Sequence, residues 1–280
     1  MKKKRLWLVV LILSLVVILG CGTFLLIYFF GQRDDLPKVA DMNKATADHT
    51  AATVDPTATD ATEAPAQLST TEAFGYGLEV TPDISELSFD ELMEINRDVY
   101  AWIYIPGTNV DYPVLQSLTD WDDSFYLHHN VYRQYQFSGC IFSEVQNALD
   151  FEDPVTVLYG HNMLSGSMFA TLHRFSDKDF FDQYNTAFIF TRDKVLTYLI
   201  YSAYIYDDRH ILNSFNMYDE DDFRAYRLST LEPRSYSSNV REGVELDEDS
   251  KILTLSTCGG DNGRLLVQGV LVDEQERIVE

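Results

Sequence analysis

Residues 251–272 read KILTLSTCGGDNGRLLVQGVLV, two apolar strand patterns separated by a glycine-rich connection. Residues 252–257 alternate apolar and hydroxyl side chains, and residues 265–272 are mostly apolar, so the stretch predicts two strands joined by a short loop. Cys258 lies at the end of the first strand, and Arg264 opens the second. A lone cysteine here fits either a small buried side chain or a nucleophile held beside a cation.

Cysteine use and charge exclude several classes of function. The three cysteines, Cys21, Cys140 and Cys258, form no CxxC motif, which argues against a zinc site or a disulfide framework. We interpret Cys140 as a core residue, although a single Cys140–Cys258 bridge is an alternative. The net charge of the chain is −23. Because phosphate binding depends on Lys and Arg, we expect no nucleic-acid partner.

The N-terminal region contains an uncharged and mostly apolar run from Leu6 to Phe30. About 20 apolar residues in a helix cross a bilayer, so residues 6–30 predict a transmembrane anchor. Lysines and an arginine in residues 1–5 place this short tail in the cytoplasm and the rest of the chain outside the cell. A cleaved signal peptide, or a lipoprotein signal at Cys21, is the alternative, but both need a shorter apolar run.

Residues 31–84 are predicted to form a disordered stalk rich in Ala and Thr. Between Ala45 and Ala73, 17 of 29 residues are Ala or Thr, and such a composition buries too little apolar surface to order the chain. A flexible stalk would lift a domain off the membrane. Residues 85–280 are then predicted to form one folded domain.

The folded region shows many short strand patterns and few helices. Ser88 and Glu91 have the spacing of a capping box, which predicts a helix over about residues 89–98. Strand patterns follow in AWIYI, VDYPVL, SGCIFSE, VTVLYGH, AFIFT and KVLTYLIYSAYIY. Further helical patterns cover residues 166–175, 178–184 and 218–231. This composition predicts a mostly β fold, a closed and mostly antiparallel barrel with peripheral helices.

A reactive thiol needs a basic partner, because the thiolate is the nucleophile. Of the six histidines, His161 ends the apolar strand VTVLYG, so it occupies a strand end just as Cys258 does. Two strand ends that each present one reactive group form a rigid site. The other histidines lie in loops, beside a helical turn or in the stalk: His49, His128, His129, His173 and His210.

These residues together resemble the sortases, the membrane-anchored cysteine transpeptidases of Gram-positive bacteria. LYGHNM is followed by TLSTC and then by an arginine that opens the next strand, which is the family's order of His, Cys and Arg. Class B is the most similar, because ELMEINRDVYAWIYIPGTNVDYPV, YLHHN…SGCIFSE and MYDEDDFRAYRLSTL all resemble its segments. The likeness covers about residues 85–275. Two departures are the short connection from Cys258 to Arg264 and the cysteine at position 140.

The resemblance implies a sortase-type barrel of about eight strands behind one transmembrane helix, with no cofactor and no metal. It implies that Cys258 attacks a Thr carbonyl in the C-terminal sorting motif of a secreted protein and forms a thioester. His161 would transfer protons, Arg264 would stabilise the oxyanion or hold the substrate backbone, and Ser256 and Thr257 are candidate substrate contacts. The acceptor would be an amine of the peptidoglycan precursor, and polymerisation of pilins is an alternative outcome.

Other classes of protein fit the sequence less well. Papain-like peptidases place Cys before His, and L,D-transpeptidases usually place a second His and a Gly immediately before the thiol, which LSTC lacks. A membrane-tethered binding domain with an inert Cys258 is the non-enzyme alternative.

Overall fold

The computed structural model describes residues 72–118, 122–260 and 263–277. Within them the strands are β1 Glu72–Ala73, β2 Tyr76–Gly77, β3 Val99–Tyr104, β4 Asp111–Gln116, β5 Ile141–Ser143, β6 Val155–Tyr159, β7 Thr186–Phe190, β8 Lys194–Tyr206, β9 Ser238–Val240, β10 Ile252–Gly260 and β11 Gly263–Glu276. The helices are α1 Phe89–Ile95, α2 Lys178–Gln183, α3 Ile211–Ser214 and α4 Glu220–Leu231, with 3₁₀ helices at Phe125–Leu127 and Ala170–Ser176.

Eight of the strands close into a barrel. The sheet runs in the order β11-β10-β6-β5-β4-β3-β7-β8, and a further pairing of β11 with β8 closes it. Closure leaves these strands with partners on both sides, which removes the open edges that a flat sheet would expose. The mostly β, closed barrel with peripheral helices that the sequence predicts is therefore confirmed.

Most neighbouring strands in the barrel are antiparallel, but two pairs are parallel. These are β4 with β5 and β6 with β10. Leu253 and Leu255 of β10 pack into the apolar core, together with Leu158 of β6 and Val267 of β11. Because side chains alternate along a strand, the intervening residues of β10 lie on its other face.

Helix α1 begins as the capping box predicts but ends earlier than expected. The Ser88 hydroxyl accepts from the Glu91 backbone N–H at 3.3 Å. The helix ends at Ile95 rather than near Asp98, because Asn96 adopts an extended conformation and its side chain accepts from the Asp98 N–H at 3.0 Å. Asn competes with helical hydrogen bonds in this way, and the pattern of apolar residues does not report it.

The predicted membrane and stalk segments lie mostly outside the described residues. None of the helices in the described ranges is long and apolar enough to cross a bilayer. The anchor at residues 6–30 falls outside those ranges and stays a prediction, as does the stalk up to residue 71.

The last part of the predicted stalk, residues 72–84, carries structure. Strands β1 and β2 form a hairpin, and the Tyr76 ring lies 5.1 Å from the guanidinium of the buried Arg241. Asn185 donates to the Gly77 carbonyl at 2.7 Å, and both Leu78 and Ile84 are buried. Aromatic and aliphatic side chains at the end of an Ala/Thr-rich region therefore belong to the folded unit.

Removing this segment should destabilise the barrel. A chain that begins at residue 85 loses the burial of Leu78 and Ile84 and leaves Asn185 without its acceptor, at a cost of roughly 3 kcal/mol or more. We expect a clearly lower melting temperature for that chain than for one that begins at residue 72. Equal melting temperatures would show that the hairpin contributes nothing to stability.

Candidate active site

The parallel pairing of β6 with β10 brings the ends of two distant strands together. Ser256 pairs with Tyr159, and the Gly160 N–H donates to the Ser256 carbonyl at 3.2 Å. His161 and Cys258 follow directly, each two positions beyond that last pair. Because the strands are parallel, both chains leave the barrel at the same end.

The hairpin of β10 and β11 adds the third residue. Cys258 and Arg264 are direct partners across this antiparallel pair, with a register irregularity between Cys258 and Gly260. Arg264 in turn pairs with Tyr206 of β8. Its partly exposed guanidinium forms no ion pair or side-chain hydrogen bond with the described residues. The backbone register thus brings His161, Cys258 and Arg264 to one end of three adjacent strands.

Gly160, the residue before His161, lies in close contact with the side chains of two neighbouring residues. A Cβ at this position would approach the Ile141 Cδ1 to 2.6 Å and the Phe169 ring to 2.7 Å. The Phe169 N–H also donates to the His161 carbonyl at 3.0 Å. A side chain at position 160 would therefore displace the turn that carries the imidazole.

The imidazole of His161 is half-buried, and its Nε2 lies 2.9 Å from the Leu127 carbonyl oxygen. Burial lowers the pKa of His161, and the nearby His128 lowers it further, while the hydrogen bond to Leu127 opposes them. The ring is therefore neutral near pH 7, since an unperturbed histidine titrates near pH 6.5. A neutral imidazole has a nitrogen lone pair with which to accept a proton.

Ser256 and Thr257, the two predicted substrate contacts, are both buried, at 1% exposure. Thr257 shares the face of β10 that carries Leu253 and Leu255 into the core, whereas Ser256 lies on the other face. Neither hydroxyl has a hydrogen-bond partner within the described ranges. An unpaired buried hydroxyl costs about 1–3 kcal/mol. The assignment of Ser256 and Thr257 as substrate contacts stays a prediction.

Cys140 occupies the position immediately before β5 and is buried. The interpretation of Cys140 as a core residue agrees with this burial. The alternative of a Cys140–Cys258 bridge involves the side chain of Cys258, which lies outside the described ones.

Sequence reasoning missed the residues that surround His161. The carbonyl of Leu127 and the rings of His128 and Phe137 all contact the imidazole. His128 was visible in YLHHN, but it lies in a loop where no strand or helix pattern indicates which neighbour it faces. These contacts depend on tertiary structure.

Comparison with known proteins identifies the family. The sortase domain family matches residues 103–272. Sortase B of Listeria monocytogenes is 35% identical over 189 residues, which cover 65% of this chain and 73% of that protein. The crystal structure of Clostridium perfringens sortase B has 34% identity and a TM-score of 0.60, over 66% of this chain and all of that chain. A Streptococcus pyogenes class B sortase involved in pilus biogenesis has 29% identity and a TM-score of 0.57, over 67% of this chain and all of that chain.

The family match and the barrel agree with the resemblance seen in the sequence, including its class. The chain is therefore a member of the sortase family, a class B sortase and thus a cysteine transpeptidase.

Proposed function

We propose that the protein cleaves a sorting motif near the C terminus of secreted proteins after a Thr and joins the new carboxyl end to an amine of the peptidoglycan precursor. The observation that carries this proposal is the strand register, which brings His161, Cys258 and Arg264 to one end of β6, β10 and β11. In the proposed site Cys258 is the nucleophile, His161 the acid and base, and Arg264 the oxyanion or backbone donor.

The first half of the reaction forms a thioester. The neutral His161 ring takes the thiol proton while the Cys258 sulfur attacks the Thr carbonyl carbon. The imidazolium then gives that proton to the departing amine as the peptide C–N bond breaks. Protonation matters because an amide nitrogen leaves readily only as the neutral amine.

The second half transfers the acyl group. The acceptor amine attacks the thioester carbonyl, His161 takes the extra proton from its nitrogen, and the imidazolium returns that proton to the Cys258 sulfur as the C–S bond breaks. In both halves negative charge develops on the carbonyl oxygen. The Arg264 guanidinium, which has no ion-pair partner among the described residues, is available to donate to that oxygen.

The N-terminal segments fit the same proposal. Residues 6–30 anchor the chain with residues 1–5 in the cytoplasm, and the stalk places the catalytic domain outside the membrane. A substrate that emerges from the membrane and a lipid-linked acceptor would both be within reach.

The test is cleavage and transfer by the full chain in detergent, read by mass spectrometry. Peptide libraries built on NPQTN-like and LPXTG-like pentapeptides would be incubated with and without a glycine-based amine. We expect products that end in Thr, replaced by Thr–amine adducts when the amine is present, and neither product with Cys258→Ala. Cleavage at other bonds, or an adduct that never forms, would contradict the proposal.

Polymerisation of pilins is the second candidate, because a class B relative from S. pyogenes is described as involved in pilus biogenesis. The same assay separates the two when a Lys-bearing peptide is offered beside the glycine-based amine. Exclusive transfer to the Lys side chain would favour the pilin reaction over cell-wall anchoring.

A further inference from the structure

A loop over residues 125–139, here called the imidazole loop, faces His161 and is used by no step above. Its Leu127 carbonyl lies 2.9 Å from Nε2 of His161, and its His128 and Phe137 rings both stack on the imidazole. We propose that this loop positions His161 and leaves Nδ1 as the nitrogen that exchanges protons, with His128 and Phe137 as positioning residues. The inference rests on the proposed role of His161 and specifies how that role is performed.

The reactive nitrogen follows from the chemistry of the hydrogen bond. A carbonyl oxygen only accepts, so Nε2 must carry the hydrogen that bonds to Leu127. A neutral imidazole carries one ring hydrogen, which leaves the lone pair on Nδ1. Nδ1 is therefore the nitrogen that takes the thiol proton and returns it to the leaving amine.

The orientation of the ring is fixed by two aromatic neighbours. The centroids of His128 and Phe137 each lie 5.3 Å from that of His161, and 5.8 Å from each other. The His161 plane is inclined by 29° to His128 and by 21° to Phe137. Packing of this kind restricts rotation of the imidazole, and the face of Phe137 stabilises the imidazolium that forms during the reaction.

The loop is anchored by a buried polar network directly beside Leu127. The Tyr126 hydroxyl donates to Asp98 at 2.7 Å and accepts from Asn96 at 2.7 Å, and Arg133 forms an ion pair with Asp98. The Cys140 N–H donates to the Tyr126 carbonyl at 2.9 Å. The carbonyl that holds His161 therefore belongs to a rigid segment.

Gly139 closes the imidazole loop behind that carbonyl. Its φ is +57°, and a Cβ there would overlap the carbonyl oxygens of Tyr126 and Leu127. Only glycine allows such a close approach. The Leu127 carbonyl is therefore fixed both by the polar network at Tyr126 and by the close packing of Gly139.

The first test reads the tautomer without any turnover. The full chain in detergent, with ¹⁵N-labelled imidazoles, would be examined by NMR near neutral pH, and the His161 signals assigned by their loss in His161→Gln. We expect Nε2 to be protonated and Nδ1 unprotonated. A protonated Nδ1 would overturn the inference whatever the activity of the protein.

The second test separates positioning from substrate contact. Phe137→Leu keeps apolar bulk but removes the ring, so we expect kcat to fall by about 10-fold to 100-fold with KM within about twofold. His128→Leu should act in the same direction, and Phe137→Tyr, which keeps the ring, should restore most of the rate. Tyr236→Leu removes an exposed ring from another loop, at 89% exposure against 52% for Phe137, and is the control, expected to leave kcat unchanged.

Three outcomes distinguish the inference from the proposed function. An unchanged kcat in Phe137→Leu, or a raised KM with unchanged kcat, would overturn the positioning role alone. Full activity in His161→Gln would instead overturn the proposed mechanism, while the tautomer measurement would still report whether the loop fixes the ring.

Discussion

Cys258→Ala should abolish both cleavage and transfer, with a fall in rate of about 10⁴-fold or more, while the protein still unfolds cooperatively. The substitution removes the group that forms the thioester, and residual rates of such variants come only from binding and oxyanion stabilisation. The backbone pairing of position 258 with Arg264 does not depend on the thiol. Turnover by mass spectrometry and melting by circular dichroism would be measured on the same sample.

Cys140→Ala is the matched control for this substitution. Cys140 is buried beside the barrel core, so its loss should cost about 1–2 kcal/mol of stability and leave turnover intact. A methanethiosulfonate reagent should label the folded protein at Cys258 and not at Cys140. A dead Cys140→Ala protein, or an active Cys258→Ala protein, would show that the nucleophile is assigned wrongly.

Arg264→Lys should be seriously impaired although the charge is kept, with kcat/KM lower by about 10²-fold to 10³-fold. A guanidinium presents a planar fork of donors, which an ammonium group cannot reproduce. The measurement is kcat/KM for Arg264→Lys and Arg264→Ala from pH 6 to 9 on a cleaved peptide. If the cation acted only by lowering the pKa of the thiol, Lys would restore much of the rate, and a higher pH would rescue Arg264→Ala.

His161→Ala provides the comparison for the arginine variants. General acid–base groups contribute typically about 10²–10⁴-fold, so both cleavage and transfer should be lost. Because His161 moves protons and Arg264 does not, only the histidine variant should lose the pH dependence that a neutral imidazole imposes. Turnover in His161→Ala close to that of the unmodified protein would exclude the proposed Cys–His pair.

The sequence predicts those parts of the structure that depend on local patterns. The β10–β11 hairpin, the start of α1 at Ser88 and the position of His161 at a strand end follow from alternation, capping and chain breaks. Helices at residues 178–184 and 218–231 were placed to within about two residues of α2 and α4. Each of these features depends on residues that are close together in the sequence.

The features that the sequence did not predict depend on distant contacts. The parallel pairing of β6 with β10 cannot be read from either strand, because each shows only a local apolar pattern that does not name its partner. The hairpin at residues 72–77 is stabilised by Arg241 and Asn185, which lie far along the chain. The imidazole loop has no regular pattern of its own, so its contact with His161 appears only when the barrel forms.

The parallel pairing of β6 with β10 also determines when the site comes into existence during folding. His161 and Cys258 are about 100 residues apart in sequence. They come together only after the intervening chain has folded into β7, β8 and the helices that follow β8. Contacts of such high sequence separation pay a large loop-closure entropy and form late. A chain that is still folding therefore carries its thiol without an imidazole beside it. The active site should form in the same cooperative step that closes the barrel. Partly folded molecules would therefore not form a thioester with nearby peptides.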